Sequence, residues 1–222
     1  VRVIPNSVNI FLDLKNNNDF KKNFFSSLNI PKDSKLILSI GRICHHKRQD
    51  FIIESLAPII KEQNIYLIFV GEYDLDMSES LNTIKRINYL IDKFDIKSNI
   101  RFLGYRNDIK DIMTVADLFV HSTLTEAFGL VLVEAMRAGL PIVTTNVEAI
   151  PEIVPEPDNF LVDIDDLIGF RKCVMISLKR SNETKKEISN RNIKYANNKK
   201  FSSIERTRQM YDYFKFILEN KK

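Results

Sequence analysis

Short apolar runs alternate along this chain with longer stretches whose apolar residues recur every three or four positions. The runs are Leu36–Ile40, Ile65–Val70, Ile100–Leu103, Asp117–His121 and Pro141–Thr145. Each is strand-length, and the apolar residues within it are nearly continuous, which predicts strands covered on both faces. Between them, Asp50–Ile60 carries Phe51, Ile52, Leu56, Ile59 and Ile60, and Leu81–Phe94 carries Leu81, Ile84, Ile87, Leu90 and Ile91. Both are one-sided helical patterns. Asp108–Ala116 predicts a short helix with an acidic start, and Phe128–Ala138 another helix, stopped by Gly139 and Pro141. Strand alternating with helix predicts the α/β class and a doubly wound, Rossmann-like parallel sheet. Val1–Asn9 reads as a short strand and residues 10–30 as a loop with one irregular helix. A last short strand is expected at Asn159–Val162, then surface helices at Asp163–Leu178 and Asn182–Ala196. A closing helix, Phe201–Leu218, shows an apolar stripe of Ile204, Tyr211, Phe214 and Leu218.

The helix at Phe128–Ala138 is apolar on nearly every face, yet holds Glu134 and Arg137. A carboxylate in such surroundings needs a partner. Either it pairs with Arg137 one turn on or points to solvent at an edge, or it accepts hydrogen bonds from ligand hydroxyls at the carboxyl edge of the sheet. Glu126 lies in the preceding loop, with Thr125 as the expected helix cap. Across the sheet, the loop after Ile40 supplies Gly41, Arg42, Lys47 and Arg48. Cations at a strand's carboxyl end suit a diphosphate, although a solvated basic loop would look the same. His45-His46 reads as exposed, and Asp74-Leu-Asp76 as a solvated acidic loop rather than a metal site. Arg106 has Asp108 and Asp111 as alternative partners.

The 222 residues are 44% hydrophobic and 28% charged, enough for a real core in one domain. No stretch is long and apolar enough for a membrane span. The net charge of +4 does not argue for nucleic acid. Cys44 and Cys173 lack metal-ligand spacing, which suits free thiols in a reducing cytoplasm. The opening lacks a secretory signal's long apolar core, and its first residue is valine rather than an initiating methionine, so the chain is expected to be a fragment.

Glu126-Ala-Phe-Gly-Leu-x-x-x-Glu134, followed by Ala-Met-x-Ala-Gly-Leu-Pro-Ile-Val, closely resembles the signature of the retaining group 1 glycosyltransferases. Ile4-Pro-Asn-Ser7 resembles the segment that enters their C-terminal domain, with serine for the usual glycine. The resemblance implies the C-terminal, donor-binding half of a GT-B fold, with residues 1–200 as that domain. Residues 201–222 would form a helix crossing back to an N-terminal domain for which this length leaves no room. It implies a nucleotide diphosphate sugar as donor, with no cofactor or metal. Arg42 and Lys47 would act on the diphosphate and Glu126 on the sugar. Gly41, Phe128, Gly129 and Leu130 would line the phosphates and sugar, Glu134 the ribose, and Tyr105 and Arg106 the base. The family often has glycine after that lysine, where this chain has Arg48. The acceptor, a sugar or a lipid-linked glycan, would sit on the N-terminal domain, in an enzyme at the cytoplasmic face of a membrane. The isolated chain is then expected to bind donor weakly and transfer nothing. A nucleotide-sugar epimerase on a related fold and a non-catalytic nucleotide-binding module remain open alternatives at this point.

Overall fold

The computed structural model describes residues 6–7 and 18–219. Most of the strand expected at residues 1–9 lies outside them. The described strands are β1 (Lys35–Ile40), β2 (Ile65–Val70), β3 (Ile100–Phe102), β4 (Leu118–His121), β5 (Ile142–Thr145) and β6 (Phe160–Val162). They form one sheet in the order β3-β2-β1-β4-β5-β6, and every neighbouring pair is parallel. This is the doubly wound, Rossmann-like order expected from the alternation. The chain works outward from β1 through β2 to β3, then returns to the other side of β1 with β4. The two windings therefore diverge between β1 and β4, where the loops at the strands' carboxyl ends part and leave a crevice.

Helices cover both faces. Around the sheet run α1 (Asn18–Ser27), α2 (Gln49–Ile60), α3 (Ser78–Lys93), α4 (Ile109–Val115), α5 (Leu130–Arg137), α6 (Ile150–Ile153), α7 (Leu167–Lys179), α8 (Asn182–Ala196) and α9 (Ser203–Glu219). Two separate apolar clusters show the layering. Leu36, Leu38 and Phe119 point to one face, with α1, α4 and α5. Ile37, Leu118 and Val120 point to the other, with α2, α3 and α7. Successive strand residues thus serve opposite cores, which is why these strands read as unbroken apolar runs.

Polar groups lock the edges. Asn159 accepts from the Ile142 N–H at 2.9 Å, and the buried Asn192 donates to the Leu140 carbonyl at 2.8 Å. The two amides also bond each other, so α8 is fastened to the start of β5. Gly71 is required at the end of β2. A Cβ there would sit 2.1 Å from the Gly41 carbonyl oxygen, because the β1 and β2 loops touch.

Two local expectations need correction. Helix α5 begins at Leu130, not Phe128, and Thr125 does not cap it. Gly129 occupies the cap position with φ 74°, while Thr125 offers its carbonyl to the Thr123 hydroxyl. At the C-terminal end, Phe201 is fully buried in a short turn ahead of the last helix. That helix, α9, has no fully buried residue and leaves Ile204, Tyr211, Phe214 and Leu218 exposed.

Candidate donor site

The β1 and β4 loops are stitched together by small hydroxyl residues. Ser122 Oγ lies 2.8 Å from both the Lys47 and the Arg48 carbonyl oxygens. Thr123 Oγ1 lies 3.1 Å from the His46 carbonyl oxygen. Its backbone exchanges hydrogen bonds with Thr145 Oγ1 on β5, at 3.0 and 2.9 Å. This is the physical use of the Ser-Thr run: side chains too short to reach elsewhere satisfy the backbone of neighbouring loops. Arg48, in the loop after β1, has φ 48°. It takes a left-handed conformation that glycine adopts more easily, and its guanidinium pairs with Asp165 and lies over the Phe51 ring.

Between these loops lies a cavity of about 420 Å³ at the carboxyl edge of the sheet. Gly41, Lys47, Glu126, Phe128, Gly129, Leu130 and Glu134 line it, together with Asn6, Ile40, Ala127 and Val131. It occupies the crevice between β1 and β4, and both glutamates meet there although seven residues separate them. Lys47 Nζ donates to Glu126 Oε2 at 2.6 Å. Glu126 Oε1 accepts from the Gly129 N–H at 3.0 Å, and the Glu126 N–H donates to Glu148 Oε2 at 2.7 Å. Glu126 is therefore gripped at both ends.

Beneath it sits His121, the last residue of β4, only 2% exposed. Its Nε2 is 3.4 Å from Glu126 Oε2, and that buried nitrogen has no hydrogen-bond partner among the described residues. Together, the His121 imidazole and the Lys47 ammonium hold the Glu126 carboxyl down to about 2, against the opposing effect of burial. Burial pushes the His121 imidazole below its ordinary value; Glu126 works against that and Lys47 adds to it.

Glu134 lies on the cavity wall. Burial raises its carboxyl above the usual range, with Arg137 and Lys110 pulling the other way. Arg137 sends its guanidinium to the carbonyls of Ala196 and Phe201, at 3.2 and 3.4 Å.

Not every expected residue arrives at the cavity. Arg42 Nη1 is 3.6 Å from Asp74, and its side chain is 76% exposed. Arg106 pairs with Asp108, and Tyr105 is 71% exposed. None of the three lines the cavity with Lys47. Asp74 is held by Arg42, and His45 and His46 are exposed as expected. His121 and Glu148 escaped the sequence reading. A histidine closing an apolar strand was a usable signal for the first. Glu148 gave none, since its role depends on which loops the topology brings together. Cys44 and Cys173 are both unpaired.

Known proteins resemble this chain in sequence and in fold. The chain is 30% identical over 176 residues to an Escherichia coli protein named UDP-Gal:alpha-D-GlcNAc-diphosphoundecaprenol alpha-1,3-galactosyltransferase, covering 77% of this chain and 43% of that one. It is 28% identical over 200 residues to an uncharacterised glycosyltransferase of Methanocaldococcus jannaschii, covering 81% and 48%. It is 35% identical over 120 residues to the lipopolysaccharide glucosyltransferase WaaG of Escherichia coli, covering 53% and 30%. The chain thus spans less than half the length of these relatives. Among solved structures, a glycosyltransferase from Rickettsia africae superposes with a TM-score of 0.85 at 20% identity, over 99% of this chain and 58% of that one. Anabaena HepE in complex with UDP-glucose does so with a TM-score of 0.80 at 20% identity, over 89% and 53%. Both likenesses show the shared fold. The family model described as "Glycosyl transferases group 1" matches residues 20–199, and the chain belongs to that family.

Proposed function

We propose that this chain is the donor-binding half of a retaining glycosyltransferase that takes its sugar from a nucleoside diphosphate. The observation that carries the reading is the cavity where Lys47, Glu126 and Glu134 meet the first turn of α5. Leu130 and Val131 open that helix and line the cavity. Amides in a helix's first turn lack carbonyl partners within it and suit phosphate oxygens. Lys47 would leave Glu126 for the diphosphate and neutralise the charge that grows there as the glycosidic bond breaks. Glu126, relieved of Lys47, would accept from sugar hydroxyls, and Glu134 from the ribose.

Arg42 completes the charge balance in this scheme. A diphosphate diester brings two negative charges toward two carboxylates, and one lysine does not offset them. Arg42, exposed and paired only at 3.6 Å with Asp74, would swing in as the second cation. Tyr105 and Arg106 would meet the base only after similar movement. No metal or other cofactor enters this scheme.

The relatives named for galactosyl and glucosyl transfer onto lipid-linked glycan and lipopolysaccharide support an acceptor of that kind. It would be bound by a second domain, reached by α9, at the cytoplasmic face of a membrane. Among the described residues no helix is long and apolar enough to cross a membrane. A thermal-shift panel of UDP, GDP, ADP, their glucose conjugates and free glucose tests the donor class. At least one diphosphate and its conjugate should raise the melting temperature, and glucose alone should not. No response to any diphosphate would overturn the reading. Proton NMR of the product made by the full-length enzyme, with an α-linked donor, should show an α linkage; a β linkage would exclude retention.

A further inference from the structure

Lys47 cannot serve Glu126 and a diphosphate equally, because its ammonium now lies 2.6 Å from the carboxylate. When it turns to phosphate, Glu126 loses its nearest positive charge while keeping its place in a half-buried wall. The group left beside Glu126 Oε2 is His121, whose Nε2 is 3.4 Å away and otherwise unpartnered among the described residues. We propose that His121 is a positioning residue: it holds Glu126 in place when Lys47 moves to the donor diphosphate, and takes up one proton from solvent as it does so. The proton returns to solvent when the diphosphate leaves. This rests on the cavity being the donor site.

The surroundings of the imidazole favour this behaviour. The charged groups that face it are Lys47, from the β1 loop, and Glu126, from the β4 loop. Glu148, from the β5 loop, reaches only the Glu126 N–H. The adjoining strand ends, Ser39-Ile40 on β1 and Val143-Thr144-Thr145 on β5, carry no charge. In the free protein, burial and Lys47 both favour the neutral imidazole, against the pull of Glu126. A diphosphate that offsets Lys47 removes one of the two opposing influences, and the imidazolium becomes the better partner for the carboxylate.

The imidazole nitrogens can be followed directly by NMR, since the chain has three histidines and His45 and His46 are exposed. In wild type, the His121 midpoint should lie below that of the exposed histidines. Lys47→Met should move its midpoint upward by about one unit, an expectation that needs no ligand. UDP-glucose, whose diphosphate diester does not titrate in this range, should move it the same way. Calorimetry in two buffers of different ionisation heat should then show proton uptake on binding. His121→Gln keeps an N–H near Glu126 and should retain affinity while losing the pH dependence. His121→Phe should lose both, with binding weakened by about tenfold or more, the worth of a hydrogen bond to a charged group. An His121 midpoint unmoved in Lys47→Met would overturn the proposal. Failure of UDP-glucose to bind at any pH would count against the choice of donor, while the Lys47→Met titration still decides the role of His121.

Discussion

Glu126 and Glu134 are the same residue type in one cavity, yet their surroundings push them in opposite directions. Glu126 has a lysine, a histidine and a backbone N–H turned toward it, and its carboxyl is held down to about 2. A carboxyl lowered by folding contributes stability above its unfolded value, near 4.5, and loses it as the pH falls toward 2. Glu126→Gln should therefore lower the urea midpoint at pH 7 and flatten its decline between pH 4.5 and 2. Glu134 is raised by burial, so it contributes in the reverse sense. Its stabilising share is present below the unfolded value and lost as the pH rises through the folded one. Glu134→Gln should then stabilise the ligand-free protein at pH 8 while weakening nucleotide-sugar binding. Stability gained and binding lost together would mark the carboxylate as kept for a ligand. A variant that is destabilised at pH 8 would show that Glu134 instead serves the fold.

At the scale of elements, helix α5 carries the site because of how it starts. Gly129 has φ 74°, and a Cβ there would sit 2.8 Å from Leu132 Cδ1 and 3.3 Å from Glu126 Cγ. Gly129→Ala should cost about 2–3 kcal/mol, from the left-handed backbone penalty plus the contact. Chemical denaturation should show the loss, and it should weaken donor binding as well because Glu126 is displaced. The strands were legible in the sequence to within a residue or two, because parallel strands buried on both faces leave unbroken apolar runs. The start of α5 was not. A chain that turns through a left-handed glycine has no side-chain cap to announce it, and Thr125 offered a false one. Glu126 and Glu134 were legible through their signature, and Lys47 through its place after a strand. The pairing of Arg106 with Asp108 was one of the alternatives the sequence offered, whereas the resting position of Arg42 was not legible, because Asp74 lies in another loop that no spacing rule brings to it. His121 became meaningful only once the sheet order placed the end of β4 beside the β1 loop.

For the whole molecule, the reversal of strand order between β1 and β4 explains why residues as distant as Lys47 and Glu134 share one cavity. Helix α9 carries Ile204, Tyr211, Phe214 and Leu218 into solvent, an apolar face of the kind that packs against another body. Phe214→Glu should leave the stability of this chain within about 0.5 kcal/mol, as surface substitutions do, yet destabilise the full-length enzyme. Equal loss in both would place the partner of α9 within this chain. The central claim is that Lys47 and Glu134 line a site for a nucleoside diphosphate sugar. Isothermal titration of UDP-glucose into wild type, Lys47→Met and Glu134→Ala tests it most directly. The account predicts measurable binding by wild type and at least about a tenfold loss in each variant, or 1.4 kcal/mol. Wild-type binding left unchanged by both substitutions would contradict it.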